Sequence, residues 1–201
     1  SPNAGFEKFH EASYDKATSQ EPNGWHSFMS STGSYASMVS APVHTYASKE
    51  VRENAEADNK QCVKIVSTPV KVGSWVAASA NGTITTGRLK AGSMDASNKD
   101  NCSFLDFSST DVDANGDPFY AVLNNKPDAM KVWVKFKAGD GNKNPKATIS
   151  ALLTNGNMVQ DPEDEQYAAN IIARAQNSSI ESKDEWQEIT IPFTYDNKNE
   201  M

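Results

Sequence analysis

The sequence predicts an all-β protein built as an antiparallel sandwich, and three observations favour this class. Short runs with strand character recur along the 201-residue chain. Gly, Asn, Asp and Pro punctuate these runs, as in ANG (80–82), DANGDP (113–118) and TNGN (154–157). Asn, Ser, Thr, Asp and Gly are abundant and Leu is scarce, as in many extracellular β proteins. Many short strands with regular turn signals are typical of a β-sandwich.

Eight runs are predicted as strands: 62–68, 73–80, 82–89, 103–109, 129–138, 146–154, 169–176 and 186–195. Two segments, 49–58 and 161–169, have weak helical character. In the second, Asp161 is placed as an N-cap, Pro162 occupies the first helical position, and acidic residues fill the first turn. We therefore expect one or two short helical turns and no long helix.

The run 129–138 has the clearest strand pattern, because its side chains alternate in character. Residues on one face should belong to the core: Met130, Val132, Val134 and Phe136. The opposite face carries Trp133 and three lysines: Lys131, Lys135 and Lys137. We expect Trp133 to be at least partly exposed or to lie under a mobile loop.

An exposed indole on the open face of a β-sandwich can stack on the apolar face of a sugar ring. Trp133, with Lys131 and Lys135 beside it, is therefore the leading candidate for carbohydrate binding. Trp75 is a further candidate, since its strand pattern allows it to lie on either face. Packing beneath a loop is the alternative role for Trp133.

Charge and hydropathy exclude several partners. The chain has 26 acidic and 19 basic residues, a net charge of −7, and it has no large basic cluster. Nucleic acids and anionic membranes both require a basic surface, so neither is an expected partner. No apolar run approaches the ~20 residues of a membrane span. We expect residues 1–201 to form a single domain.

The segment DVDANGDPF (111–119) resembles the first half of a calcium-binding loop. Asp111, Asp113 and Asp117 could supply oxygen ligands, but the bidentate Glu of an EF-hand is replaced by Val122. The flanking segments also have strand character, so an EF-hand is excluded. Asp, Asn and Gly favour turns for local reasons as well. We favour an open turn whose carboxylates point to water, with Ca²⁺ binding as the alternative.

Cys62 and Cys102 lie in separate strand-like runs. A disulfide between them would close a loop of about 40 residues and contribute roughly 4 kcal/mol in the chain-entropy model. We expect the two cysteines to be close enough to be bridged. Two unpaired buried thiols are the alternative.

Catalytic signals are weak. The three histidines all lie within the first 44 residues, and His26, in GWHSF, is expected to hydrogen-bond locally. Acidic residues are too numerous for any pair to stand out as the two carboxylates of a glycosidase. Neither a phosphate-binding loop nor a zinc-ligand spacing occurs.

Several segments in order along the chain resemble one known family. They are GFEKFH (5–10), PNGWHSF (22–28), ANGTITTGRL (80–89), GDPFYAVLNNKPDAMKVWVKF (116–136) and EWQEITIPFTY (185–195). This set is similar to the putative carbohydrate metabolism domain of Bacteroidetes surface proteins.

The resemblance implies a jelly-roll sandwich like those of carbohydrate-binding modules, placed outside the cell or on the outer membrane, secreted or lipid-anchored. It implies no catalytic residues. Glu7 matches a calcium ligand of related jelly rolls, and it joins Asp111, Asp113 and Asp117 as a candidate metal ligand. The family pattern continues with closing strands after the strand at 186–195. Either these strands are missing from the given sequence or another element completes the sheet, and we expect one sheet edge to be unpaired or paired with a foreign strand.

The sequence thus predicts a non-catalytic carbohydrate-binding or glycan-associated surface module whose partner is an oligo- or polysaccharide. No cofactor is required in this interpretation, and Ca²⁺ is a candidate ligand. Two alternatives stay open. One is a glycoside hydrolase using paired carboxylates. The other is a structural adhesin or pilus-like subunit that binds surface proteins by strand addition.

Overall fold

The computed structural model describes residues 3–141 and 143–196, without the side chains of residues 72 and 76–78. Fourteen strands are present in this part of the chain: β1 Phe9–Tyr14, β2 Ala17–Pro22, β3 Thr45–Ser48, β4 Cys62–Ile65, β5 Thr68–Val72, β6 Trp75–Ala80, β7 Arg88–Ala91, β8 Asn101–Phe104, β9 Ala129–Val134, β10 Ala147–Thr154, β11 Gln160–Asp161, β12 Ile171–Ile180, β13 Gln187–Pro192 and β14 Thr194–Tyr195. Strands account for 40% of the structure and helices for only 7%. The predicted all-β class is confirmed.

The strands belong to two compact units. The first contains Ser1–Leu123 and Gln160–Asp164, and the second contains Asn124–Val159 and Glu165–Met201. In the first unit β1 pairs with β2, β3 with β4, and β5 with β6, while β7 and β11 flank β8. In the second unit β9 pairs with β13, and β12 lies between β10 and β14. All these strand pairs are antiparallel.

Most of the predicted strands are present, and β10 nearly fills the predicted range 146–154. The prediction for 82–89 is wrong over most of its length, because regular strand begins only at Arg88. Within that segment Thr85 forms an isolated bridge with His26. The strands β1, β2, β3 and β5 were not predicted. The sequences of β1, β2 and β3 are polar or short and lack the apolar alternation by which a half-buried strand is recognised, whereas in β5 Val70 and Val72 alternate with Lys71 over only five residues.

The helical predictions are partly correct. Residues 49–58 form turns and no helix, and Asn54 adopts a left-handed φ of 57° that a helix does not allow. In the second segment a 3₁₀ helix spans Glu165–Asn170, while the predicted N-cap Asp161 lies in β11. A short α-helix at Ala36–Ser40 and a 3₁₀ turn at Phe28–Ser30 were not predicted. None of the described helices is long and apolar enough to span a membrane.

The face assignment of β9 is confirmed. Met130, Val132 and Val134 are half-buried, and they alternate with the exposed side chains of Lys131 and Trp133. The partner strand β13 alternates in the same way, with Ile191 buried. This pair of strands therefore has one apolar face and one polar face on which Trp133 lies.

No disulfide joins Cys62 and Cys102, because both thiols are free, and the predicted proximity of the two residues stays a prediction. Cys62 lies on β4, which pairs only with β3, whereas Cys102 lies on the separate β7–β8–β11 sheet. Burial raises the pKa of both thiols above the ordinary value. Both cysteines are therefore expected to be unreactive at neutral pH.

The predicted jelly-roll order and single domain stay predictions. The expected missing closing strands also stay a prediction, because residues 197–201 lie outside the described part of the chain.

Candidate functional site

The polar face of the β9–β13 pair carries the residues predicted to bind carbohydrate. We call it the Trp133 face, and its members are Lys131, Trp133 and Lys135 with Glu188 and Thr190 from β13. Trp133 lies directly opposite Glu188, and Lys131 lies opposite Thr190. The Trp133 side chain is 39% exposed. Residues directly opposite one another in an antiparallel pair share a face, so these side chains form one continuous surface.

Charged groups surround the indole on this face. The Lys131 ammonium lies 3.3 Å from Glu188 Oε1, and both side chains are substantially exposed. An ion pair in water contributes little to stability, so its groups can exchange this contact for hydrogen bonds with a ligand. An aromatic plane beside such donors and acceptors is suited to a sugar, which has an apolar face and a rim of hydroxyl groups.

Trp75 is the other predicted binding residue. It begins β6, its side chain is 80% exposed, and it lies opposite Val72 across a turn through Gly73. Gly73 adopts a φ of 61°, a conformation in which glycine is favoured. Trp75 and Trp133 belong to different units, so we treat them as separate candidate surfaces.

The DVDANGDPF loop is a closed turn. The backbone N–H of Asp113 donates to the Asp117 carbonyl at 3.0 Å, and Gly116 N–H donates to the Asp113 carbonyl at 3.0 Å. Asp113 Oδ1 accepts hydrogen bonds from the backbone N–H groups of Asn115 at 2.9 Å and Asp117 at 2.8 Å. These contacts turn Asp113 away from solvent, and it is only 7% exposed. The expectation that all the loop carboxylates point to water is therefore wrong for Asp113.

Asp113 belongs to a buried polar group that we call the Asp113 cluster: His10, Glu21, His26, Asp113 and Asp117. Asp113 Oδ2 lies 3.2 Å from His26 Nε2 and 3.5 Å from His10 Nε2. His10 Nε2 also lies 3.5 Å from Glu21 Oε2. Strands β1 and β2 supply His10 and Glu21, which lie directly opposite each other.

The charges in this cluster shift two pKa values. Burial alone would lower the pKa of His10, but its contacts with Glu21 and Asn23 and the negative charges of Asp113 and Glu21 raise it above the ordinary value. Burial alone would raise the pKa of Asp113. Contact with His26, the Asp117 backbone N–H and the positive charge of the histidines lower it instead.

The four candidate metal ligands separate into two groups. His10, Asp113 and Asp117 place ligand atoms within 4.8 Å of one another, and they form a metal-capable group among the described residues. Asp111 instead pairs with Arg88 Nη1 at 2.9 Å. Glu7 Oε1 accepts a hydrogen bond from the Lys60 backbone N–H at 3.0 Å. Two of the predicted ligands are thus brought together, and Asp111 and Glu7 do not join them.

Sequence reasoning missed the two histidines of the cluster. His26 Nδ1 lies 2.8 Å from the carbonyl oxygen of Gly87, so the hydrogen bond is distant in sequence, not local as expected. His10 carried no signal by itself, because no spacing links it to a loop more than a hundred residues later. Its position in a polar strand opposite Glu21 was the available hint.

The chain as a whole matches one protein family and one solved structure. The model of the family described as "Putative carbohydrate metabolism domain" matches residues 3–201, and the chain belongs to this family. A search among curated proteins finds no significant match.

Among solved structures, the chain is similar to a putative glycoside hydrolase from Bacteroides thetaiotaomicron, with a TM-score of 0.57 and 14% sequence identity. The similarity covers 96% of this chain and 54% of that one, so this chain spans about half the length of that protein. At this identity the likeness shows the fold alone.

Proposed function

We propose that this protein is a non-catalytic carbohydrate-binding module that holds an oligo- or polysaccharide on the Trp133 face. The observation that carries the proposal is the exposure of Trp133 on the polar side of β9, directly opposite Glu188. Membership in a carbohydrate-related family supports a glycan as the partner.

The chemistry of the Trp133 face suits this role. The indole supplies a flat apolar surface that is already held by a strand, so little conformational freedom is lost on binding. Lys131 and Glu188 supply a hydrogen-bond donor and an acceptor on neighbouring strands, at diagonal positions of the same face. Trp75 offers a separate exposed indole that could contact the same kind of ligand. Stacking and hydrogen bonding of this kind require no cofactor.

A glycoside hydrolase is the main alternative. It requires two carboxyl groups flanking a bond, at about 5–9.5 Å from each other and within reach of substrate. The two carboxylates nearest His10 are Glu21 and Asp113, and the side chains of both are fully buried. A buried pair cannot approach a polysaccharide without rearrangement, which favours the binding function. The adhesin alternative has less support. It depends on an unpaired strand edge, and such an edge does not indicate which partner would bind.

We further propose that the module acts outside the cell or at the outer-membrane surface, as a secreted or lipid-anchored protein of Bacteroidetes. A net charge of −7 and a surface rich in Asn, Ser and Thr are in keeping with this location. The polysaccharide is the proposed partner, with surface proteins as further candidates.

A glycan array tests the proposed function. The purified protein should bind a restricted set of glycans, and Trp133→Ala should lose them while keeping the circular dichroism of the wild-type fold. Each glycan that binds should also be incubated with the protein and assayed for newly formed reducing ends. Release of reducing sugar would support the hydrolase alternative, and binding unaffected by Trp133→Ala would reject the Trp133 face as the site.

A further inference from the structure

Three buried polar atoms in the Asp113 cluster have no hydrogen-bond partner among the described residues. They are His10 Nε2, His26 Nε2 and Asp113 Oδ2. The side chain of His10 is 9% exposed, and those of His26 and Asp113 are fully buried. Buried polar atoms without partners are uncommon, and each one calls for an explanation such as an ion.

The positions of the protons on the two imidazole rings indicate which nitrogen of each ring presents a lone pair. His26 Nδ1 lies 2.8 Å from the Gly87 carbonyl oxygen, which can only accept, so Nδ1 carries the proton. In a neutral ring Nε2 then presents a lone pair, and it lies 3.2 Å from the acceptor Asp113 Oδ2. His10 repeats this pattern, since its Nδ1 lies 3.1 Å from Asn23 Oδ1 and its Nε2 lies near two carboxylates. With both rings neutral, several lone pairs therefore converge, and a positive charge between them must come from a bound cation or from a second proton on a ring.

The carboxylates are held as metal-ligating carboxylates usually are, with one oxygen fixed by N–H donors. Asp113 Oδ1 accepts from the backbone of Asn115 and Asp117, which leaves Oδ2 available. Asp117 Oδ2 accepts from the Gly24 backbone N–H and from the Asn115 side chain, each at 2.9 Å, which leaves Oδ1 available. Together with the Nδ1 contact of His10, these bonds provide the outer support that orients metal ligands.

We propose that His10 Nε2, Asp113 and Asp117 form a binding site for a divalent transition-metal ion of the zinc class. Their ligand atoms lie within 4.8 Å of one another. Two ligands bound to zinc at ~2.1 Å in a tetrahedral site are about 3.4 Å apart. The 3.5 Å between His10 Nε2 and Asp113 Oδ2 matches this spacing and is long for a hydrogen bond.

The identity of the ligands selects the ion. An imidazole nitrogen with carboxylate oxygens suits zinc and its neighbours, whereas Ca²⁺ and Mg²⁺ prefer oxygen ligands alone. The site would fasten the loop 113–117 to β1, two segments that are distant in sequence. Asp113 also lines a cavity of about 230 Å³ with Tyr14, Ser30 and Phe119. The site belongs to the first unit and is independent of the proposed glycan binding at Trp133.

Zinc titration of the protein, without a histidine tag and after treatment with a chelator, tests the proposal. Calorimetry should show one Zn²⁺ bound per chain, and the melting temperature should rise with Zn²⁺ and fall again with chelator. Asp117→Asn and His10→Gln should each weaken Zn²⁺ binding by at least about 10-fold. Asp111→Asn is the matched control, since Asp111 lies in the same loop but pairs with Arg88, and it should bind Zn²⁺ as the wild type does.

Three outcomes would overturn the proposal: no saturable Zn²⁺ binding, binding that all three variants retain, or a rise in melting temperature with Ca²⁺ but not with Zn²⁺. If no Zn²⁺ binds, protons on the histidines would supply the positive charge of the cluster. If His10→Gln does not fold, Asp117→Asn decides, because Asp117 is only half-buried. Co²⁺ gives a further measurement on the wild type, in which visible absorption typical of a tetrahedral site is expected and its absence would contradict the zinc-class geometry.

Discussion

Gly33 has a more constrained backbone than most residues of the chain. Its φ is +106°, and a Cβ at this position would collide with the backbone carbonyl of Ala91. The close approach results from the bridge in which Thr32 N–H donates to Leu89 and Ala91 N–H donates to Thr32. Both features exclude a side chain, and they fix the segment after the Phe28–Ser30 turn against β7.

We predict that Gly33→Ala lowers the free energy of unfolding by at least about 2 kcal/mol, since left-handed backbone costs a non-glycine residue about 1–2 kcal/mol before any clash is added. Gly73→Ala is the control, because Gly73 also has a positive φ but open space around its Cα. Urea unfolding of both variants measures the difference. Equal destabilisation of the two variants would show that the clash with Ala91 adds nothing to the cost of the Gly33→Ala substitution.

Arg88 holds two acidic side chains in the first unit. Its Nη1 lies 2.9 Å from both Asp106 Oδ2 and Asp111 Oδ2, and its guanidinium lies over the ring of Phe119. Burial alone would raise the pKa of Asp106, but the Ser108 backbone N–H and Arg88 lower it below the ordinary value.

This lowered pKa makes the stability of the fold depend on pH in the acidic range. Asp106 binds its proton more weakly in the folded than in the unfolded chain, so its contribution is complete above its ordinary pKa of 3.8 and is lost as the pH falls through the lower folded value. We predict that Asp106→Asn is less stable than the wild type at pH 6 and that the difference shrinks toward pH 2. Thermal melts across this range provide the measurement, and a difference independent of pH would contradict the ion-pair origin.

Among the elements, β12 is the central strand of the second unit. Ala173 on this strand is fully buried, with Leu153 of β10 on one side and Tyr195 of β14 on the other. A small residue at this position lets the two neighbouring strands and the core residues pack closely. Larger side chains would force neighbours from their rotamers.

We predict that Ala173→Leu destabilises the protein by about 1–3 kcal/mol, the usual cost of overpacking a core. Gln176→Leu, at an exposed position of the same strand, is the control and should change stability by no more than about 0.5 kcal/mol. Chemical denaturation followed by circular dichroism compares the two variants. A tolerated Ala173→Leu would show that this part of the core has unfilled space.

The same elements explain how much the sequence could predict. β9 and β10 were predicted well, because their apolar and polar residues alternate and turn residues bound them. β1 and β2 were missed since their inward positions include His10 and Glu21, whose burial depends on each other and on a loop far along the chain. Trp133 could be found from local alternation alone. The Asp113 cluster could not, because only tertiary contacts bring its members together.

The chain carries two candidate sites of different kinds. The Trp133 face is exposed, aromatic and charged, and it belongs to the second unit. The Asp113 cluster is buried and polar, and it belongs to the first unit. Membership in a carbohydrate-related family concerns the chain as a whole.

Titration calorimetry with the tightest-binding glycan, comparing wild type, Trp133→Ala and Trp75→Ala, tests whether the Trp133 face binds the glycan. We predict that Trp133→Ala weakens binding by about 1–3 kcal/mol, the scale of a lost aromatic anchor, with an unchanged melting temperature. Trp75→Ala should have a smaller effect. Equal affinity of the wild type and Trp133→Ala would contradict the account.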